Sequence, residues 1–124
     1  MDRNWKVDFH DEFLPEFRQL PVPVKRELAA RLELLRELGR LLGRPYVDTL
    51  KGARHANMKE LRFEADGGVW RIAFAFDPDR AAILLVGGDK SGVSKNRFYA
   101  DLILVADRRL AQHLKTIRAF SENL

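Results

Sequence analysis

Residues 57–76, "NMKELRFEADGGVWRIAFAF", restrict the fold of this chain more than any other segment does. Apolar and polar residues alternate on both sides of Asp66-Gly67-Gly68, a pattern that predicts a β-hairpin. A two-residue loop, Asp66-Gly67 or Gly67-Gly68, keeps the apolar side chains on one face. A three-residue loop would pair Arg62 with Ile72 and mix the two faces, so it is rejected. The predicted core face consists of Leu61, Phe63, Trp70, Ile72, Phe74 and Phe76.

The other face of the hairpin brings two arginines together. With the first of the two possible loops, Arg62 lies directly opposite Arg71, and with the second it lies on the diagonal. Facing like charges cost a strand pair from a few tenths of a kcal/mol to about 1 kcal/mol. A bound anion would relieve this repulsion, and so would ion pairs with Glu60 or Glu64. Because the rest of this face is polar or alanine, it is expected to be open to a ligand.

Other segments supply the remaining predicted elements. They are a short strand in "NWKVDF", a helix over residues 12–20 capped by Asp11, a helix over 24–42, a buried strand over 81–88, and a helix over 95–120 capped by Ser94. The segment "RPYVDTLKGARHA" is expected to be a basic loop. The predicted order is therefore β-α-α-β-β-β-α, with the first two helices packed as a hairpin on a sheet.

Composition narrows the class of protein. A length of 124 residues with 46% hydrophobic content suits one soluble globular domain, residues 1–124, and the absence of cysteine excludes disulfides. The longest apolar run, residues 81–86, is too short to cross a bilayer, and the acidic N-terminus does not resemble a signal peptide. A cytoplasmic protein without a membrane partner is therefore expected.

Positive charge is concentrated in two parts of the sequence. The formal net charge is +4, yet residues 40–62 and 88–99 together hold nine basic and three acidic residues. These segments lie before the hairpin and after the last predicted strand. They indicate an anionic partner, unless the charges are only a solvated surface.

Several chemistries have no support in the sequence. His10, His55 and His113 lie far apart without ligand spacing, so no metal site is predicted, and no glycine-rich phosphate loop or nucleophile motif is present. The remaining Arg, Lys, His and Tyr residues suit cleavage of RNA, in which the neighbouring 2′-hydroxyl is the nucleophile. The protein then needs a base, an acid and cations for the phosphorane, and no metal or other cofactor.

Three segments together resemble the RelE/ParE superfamily of bacterial toxins, in particular its HigB-like branch with phage-derived members. They are "LKGARHANMKELRF", "GVWRIAFAFD" and "ILLVGGDKSGVSKNRFYADLILVAD". The resemblance implies a compact α+β fold with helices on an antiparallel-dominated sheet. It also implies a helix-turn-helix, HigA-like antitoxin as partner, and a ribosome-dependent mRNA endoribonuclease that inhibits translation. Two alternatives stay open: a ParE-like inhibitor of DNA gyrase that cleaves no nucleic acid, and a non-toxic module that only binds RNA or its antitoxin.

The resemblance and the residue types together give two sets of candidate site residues. The catalytic candidates are Arg62, Arg71, Lys90, His55 and Tyr99, and the candidates for binding RNA phosphates are Lys51, Arg54, Lys59, Lys95 and Arg97. The general base is undecided, because Lys90 alone stands where the family often has two lysines. Arg71→Ala is expected to abolish cleavage and to leave the fold intact, since it removes one of two facing charges.

Overall fold

The computed structural model describes residues 4–123 as a five-stranded sheet with helices on both faces. The strands are β1 (Lys6–Phe9), β2 (Val47–Thr49), β3 (Met58–Ala65), β4 (Gly68–Phe76) and β5 (Ala81–Asp89). The helices are α1 (Phe13–Arg18), α2 (Val22–Leu38) and α3 (Lys95–Glu122), and a 3₁₀ turn at Gly39–Leu41 follows α2. None of these helices combines the length and the apolar composition that a membrane span requires.

The sheet has the order β1-β5-β4-β3-β2, in which β1 pairs with β5 in parallel and the other pairs are antiparallel. The expected α+β architecture with a mostly antiparallel sheet is confirmed. The expectation of a basic loop over "RPYVDTLKGARHA" is wrong in part, because β2 lies within it and pairs with β3. Three residues are too few for an alternating pattern to show.

The first two helices differ from their predicted bounds. Helix α1 is shorter than residues 12–20, and the expected Asp11 cap is absent: Glu12 is the N-cap residue and makes no side-chain capping bond. Helix α2 begins at Val22, directly after Pro21, and it ends before Gly39. Gly39 has φ +54°, and a Cβ at this position would lie 2.0 Å from Trp5 Nε1, so the close approach of Trp5 requires glycine here.

Both faces of the sheet are covered by helices. The face with α1 and α2 contains the predicted core residues Leu61, Phe63, Ile72 and Phe74, with Trp70 and Phe76 partly buried against them. Helix α3 covers the opposite face through Phe98, Leu102, Ala106 and Leu110, which recur at helical spacing. Strand β5 is buried from both sides, as expected for its continuous apolar run.

The expectation that the arginine face of the hairpin is open is wrong over half of its length. Ala73 and Ala75 are 0% and 2% exposed because α3 packs directly on them. Small side chains let the helix approach the strands closely. The arginine face stays accessible only toward the hairpin turn, where α3 begins.

The hairpin turn is Asp66-Gly67, with φ values of +53° and +73°, and it joins the pair Ala65 and Gly68. Positive φ at both central residues is typical of the turns that suit the twist of two-residue hairpins. In this register Arg62 lies directly opposite Arg71. The first of the two predicted loops is therefore the one that forms.

A β-bulge in β5 sets the direction of the side chains that follow it. Phe74 pairs with Leu84 and Ala73 with Val86, so Leu85 is an extra residue between them. Beyond the bulge, Gly88 pairs with Arg71 and shares its face. Alternation then places Lys90 on this same face, whereas an unbulged strand would direct it to the opposite one.

The N-cap of α3 can be tested by mutation. Ser94 is the N-cap residue, as predicted, and its side chain accepts a hydrogen bond from the backbone N–H of Arg97. We expect Ser94→Ala to lower the free energy of unfolding by about 1 kcal/mol, and Ser94→Asp to restore most of it. Urea denaturation of the three proteins measures both changes. Equal stability of the alanine and aspartate variants would show that the cap does not matter.

Candidate active site

A basic cleft of about 530 Å³ opens where the uncovered part of the arginine face meets the start of α3. Strands β2 and β3, the residue after β5 and the first turns of α3 supply its walls. The basic cleft is lined by Arg44, Asp48, Thr49, Lys51, Glu60, Arg62, Lys90, Lys95, Asn96, Tyr99, Ala100 and Ile103. Five of these side chains are cationic and two are anionic, so the cleft has a net positive charge.

Glu60 lies at the centre of the polar contacts in the cleft. Its Oε1 atom accepts a 2.8 Å hydrogen bond from the Tyr99 hydroxyl and lies 3.1 Å from Arg71 Nε and 3.8 Å from Arg62 Nε. This carboxylate therefore neutralises the facing arginines, and Glu64 does not. Its Oε2 atom accepts no hydrogen bond from the residues described, yet it is not sealed from solvent. That oxygen keeps its acceptor capacity for a donor that enters the cleft.

Arg71 is buried behind Glu60 and does not line the cleft. Its residue exposure is 6%, Nε also donates to the Tyr99 hydroxyl at 3.3 Å, and Nη1 donates to the carbonyl of Trp70 at 2.9 Å. The burial of Tyr99, followed by its bond to Glu60, raises the pKa of the phenol, so Tyr99 stays a hydrogen-bond donor at neutral pH. Together Arg71 and Tyr99 fix the position of the Glu60 carboxylate.

Arg62 reaches the cleft itself. Its side chain is 32% exposed, and Nη1 lies 3.7 Å from Asp48 Oδ2. Arg44 donates to the same oxygen from Nε at 3.1 Å and Nη2 at 2.8 Å, and these bonds lower the pKa of Asp48. Asp48 accepts its side-chain hydrogen bonds from Arg44, and the contacts of Arg62 with Asp48 and Glu60 are longer. The Arg62 guanidinium therefore keeps N–H donors for an anion.

Lys90 enters the cleft from the turn after β5. Asp89 holds this turn, because its Oδ1 atom accepts from the N–H of Val69, the N–H of Ser91 and the Ser91 hydroxyl. Burial lowers the pKa of Lys90, and the positive charges of Arg71, Arg62 and Lys95 lower it further. The Lys90 ammonium group therefore lies in a cluster of positive charges.

Three lysines of the cleft lack an acidic partner among the described residues. Within residues 4–123, no carboxylate lies within 4.0 Å of the ammonium group of Lys51, Lys90 or Lys95. An arrangement of unpaired cations around one free carboxylate oxygen can bind a phosphate and accept a proton beside it. No group of three His, Cys, Asp or Glu side chains in the described chain could hold a metal ion.

Several predicted site residues lie outside the basic cleft. His55 and the backbone of Arg54 bind Asp107 on α3, and His55 lines a different cavity, with Arg40 and Phe76. Lys59 lies on the opposite face of β3 from Arg62, and its Nζ is 3.4 Å from Thr49 Oγ1. Arg97 is exposed on α3 and does not line the cleft. The predicted roles of these residues stay predictions.

Sequence reasoning missed three residues that shape the cleft. Glu60 shares the alternation that places Arg62 on its face, so its position is predictable, but alternation indicates only an ion-pair partner for the arginines and not a central role in the cleft. Arg44 and Asp48 belong to the segment of the unpredicted strand β2, and no pattern marked them. Their arrangement depends on the pairing of Asp48 with Glu60 across the strands.

Comparison with known proteins identifies the family. Residues 15–111 match the family model described as "phage derived protein Gp49-like". The chain belongs to this Gp49-like family. Its resemblance to the phage-derived, HigB-like branch, expected from the motifs, is confirmed.

Two relatives of the Gp49-like chain come from Mycobacterium tuberculosis. "Putative toxin HigB2" is 49% identical over 86 residues, which are 68% of this chain and 42% of the relative. "Putative toxin HigB3" is 51% identical over 78 residues, which are 63% of this chain and 66% of the relative. The chain thus spans less than two-thirds of the length of either relative.

Solved structures share the fold of the Gp49-like chain. A mutant of the E. coli toxin RelE in the free state superposes with a TM-score of 0.59 at 15% identity, covering 82% of this chain and 95% of RelE. A chain of the archaeal RelE–RelB complex from Pyrococcus horikoshii gives a TM-score of 0.53 at 17% identity, covering 73% of this chain and 99% of that one. At these identities the likeness concerns the fold alone.

The two facing arginines make a matched pair for mutation. The burial of Arg71 changes what we expect of Arg71→Ala, because the substitution would leave Glu60, 5% exposed, without its closest cation. Breaking a buried ion pair on one side costs about 3–5 kcal/mol, so we expect a loss of that size for Arg71→Ala. Arg62→Ala, in the more exposed position, should cost less than about 1 kcal/mol. Urea denaturation compares them, and equal losses would contradict this description of Glu60 and Arg71.

Proposed function

We propose that this chain is the toxin of a RelE/HigB-type toxin–antitoxin system and acts as a metal-independent, ribosome-dependent mRNA endoribonuclease. The observation that carries the proposal is the basic cleft, in which Lys51, Lys90 and Lys95 have no acidic partner among residues 4–123 and lie near the free Oε2 of Glu60. Membership of the Gp49-like family and two relatives named as toxins support the same function.

The residues of the cleft can be assigned roles in RNA cleavage. Arg62, Lys51 and Lys95 bind the oxygens of the scissile phosphate and stabilise the charge of the phosphorane. Glu60 Oε2 accepts the proton of the 2′-hydroxyl, which attacks phosphorus. The bond from phosphorus to the 5′-oxygen then breaks. The products are a 2′,3′-cyclic phosphate and a 5′-hydroxyl.

Lys90 suits the role of general acid. The leaving 5′-oxygen needs a proton, and an ammonium group whose pKa is lowered gives up its proton more readily than an ordinary lysine. Arg71 and Tyr99 do not contact the substrate in this scheme. They hold Glu60 in the orientation that leaves Oε2 free, so they are positioning residues.

The partners of the toxin follow from the family likeness. A helix-turn-helix, HigA-like antitoxin would neutralise it by blocking its access to the ribosome, and the ribosome would present the mRNA to the cleft. A chain of the RelE–RelB complex shares this fold, which supports a protein partner for the proposed toxin.

Lys90→Gln tests the proposed chemistry. We expect the variant to lose at least about 10²-fold in cleavage rate, because it removes both a cation at the phosphate and the proton donor. Controlled expression without an antitoxin, followed by primer extension on a translated transcript, measures arrest and cleavage together. Lys115→Gln, an exposed residue of α3, is the matched control and should stay fully toxic.

Two results would contradict the proposal. Growth arrest with intact mRNA and induction of the DNA-damage response would indicate a gyrase inhibitor. Normal growth on expression of the unsubstituted chain would indicate a module that only binds RNA or its antitoxin.

A further inference from the structure

A cationic surface unrelated to the basic cleft surrounds Trp5 at the far end of β4. The guanidinium carbon of Arg80 lies 4.7 Å from the centre of the Trp5 ring, and that of Arg40 lies 5.6 Å from the same ring and 4.8 Å from the ring of Phe76. The two rings themselves meet edge to face at 4.9 Å. We call these four residues the arginine–tryptophan surface.

Both arginines of this surface are exposed. In the part of the chain that the structure describes, no carboxylate lies within 4.0 Å of either guanidinium. The nearby carboxylate of Asp77 accepts from the N–H groups of Asp79 and Ala81 and contacts His113. A guanidinium stacked on a ring keeps its N–H donors in the plane of the group, where they match the oxygens of a phosphate.

The backbone holds these arginines in place. Arg80 has φ +63°, an unfavourable conformation for a residue with a long side chain, and the turn before it is fixed by hydrogen bonds between Asp77 and residues 79–81. Arg40 follows Gly39, whose positive φ lets the chain pass directly against Trp5. Both arginines therefore extend from backbone whose conformation is set by hydrogen bonds or by packing against Trp5.

Two residues that the sequence assigned to catalysis or RNA binding lie beside this surface. His55 lines a cavity of about 360 Å³ together with Arg40, Asn57 and Phe76. Arg54, exposed, precedes His55 in the loop that Asp107 holds. Their position adds cationic and hydrogen-bonding groups to the arginine–tryptophan surface.

We infer that this end of the sheet is a second RNA-binding site, which takes the phosphodiester backbone of an RNA segment other than the one cut in the cleft. Arg71 and Phe76 are five residues apart on β4, which places the two sites roughly 17 Å apart along the strand. The inference rests on the proposed function for the choice of RNA as ligand. RNA is favoured because the guanidinium groups of Arg40 and Arg80 have no carboxylate within 4.0 Å among the described residues, and phosphate oxygens match their planar donors. Arginine and aromatic residues are also common at protein interfaces, so a protein partner is one outcome of the test.

Binding of an uncleavable RNA separates this site from the chemistry of the cleft. The probe is a short fluorescein-labelled RNA with every ribose 2′-O-methylated, which lacks the attacking hydroxyl. Anisotropy titrations from about 50 to 200 mM salt give the dissociation constant and its salt dependence.

For Arg40→Gln/Arg80→Asn we expect a several-fold weaker affinity and a slope of log K against log[salt] reduced by roughly 1.4, or about 0.7 for each lost contact to a single strand. Asparagine tolerates positive φ, so the substituted turn should fold.

Two matched variants complete the experiment. Arg18→Gln/Arg26→Gln removes the same charge from exposed positions on α1 and α2 and should leave the slope unchanged. Arg40→Lys/Arg80→Lys keeps the charge but loses the planar donors, and it should keep the slope while weakening the affinity.

Three results would overturn the inference. They are unchanged RNA binding by Arg40→Gln/Arg80→Asn, an equal loss in the Arg18→Gln/Arg26→Gln control, and weakened antitoxin binding with intact RNA binding. The last would make the surface a protein-binding site. Because the probe cannot be cleaved, a failure of the proposed endoribonuclease activity would appear only in the Lys90→Gln experiment, and the two failures remain distinguishable.

Discussion

The carboxylate of Glu60 is the interaction on which the cleft side of the molecule depends. It belongs to β3, contacts Arg71 on β4 and accepts a hydrogen bond from Tyr99 on α3, so one group links two strands and a helix. The repulsion between Arg62 and Arg71 becomes tolerable because this anion lies within 4 Å of both guanidinium groups. The same contacts use one carboxylate oxygen and leave the other for chemistry. Structure and proposed function thus share one residue.

Packing of α3 decides where the cleft opens. Ala73 and Ala75 are small enough for the helix to lie on the strands, and Gly88 leaves space for Phe98, since a Cβ there would lie 3.0 Å from the Phe98 ring. The helix consequently begins beside Arg71, and its first turns bring Tyr99 and Lys95 to the cleft. The bulge at Leu85 adds Lys90 from the sheet. The contacts of α3 with β4 and β5 therefore both bury the apolar face of the helix and assemble the cleft.

Local patterns predicted much of the fold. Alternation and the Asp66-Gly67 signal gave the hairpin and narrowed its register to two possibilities, because side-chain period and turn chemistry depend only on neighbouring residues. Helices α2 and α3 were predictable for the same reason, because their apolar residues recur at helical spacing. Strand β2 and the bulge at Leu85 were not, since a three-residue strand and a single extra residue leave no period in the sequence.

The candidate site was predictable only in part. Arg62, Lys51, Lys90, Lys95 and Tyr99 meet in the cleft, whereas His55 and Arg54 are held by Asp107 on the middle of α3. Sequence shows which residue types are available but not which long-range partner captures each of them. The burial of Arg71 is an example, because it depends on the seating of α3 over the arginine face.

The chemistry of the cut RNA ends is the most direct test of the account. The purified chain is incubated with ribosomes that translate a defined mRNA, and mass spectrometry identifies the ends of the fragments. Attack by the 2′-hydroxyl, assisted by Glu60 and Lys90, predicts a 2′,3′-cyclic phosphate on the upstream fragment and a 5′-hydroxyl on the downstream one. A 3′-hydroxyl with a 5′-phosphate would mean that water is the nucleophile, and it would contradict the roles assigned to the cleft.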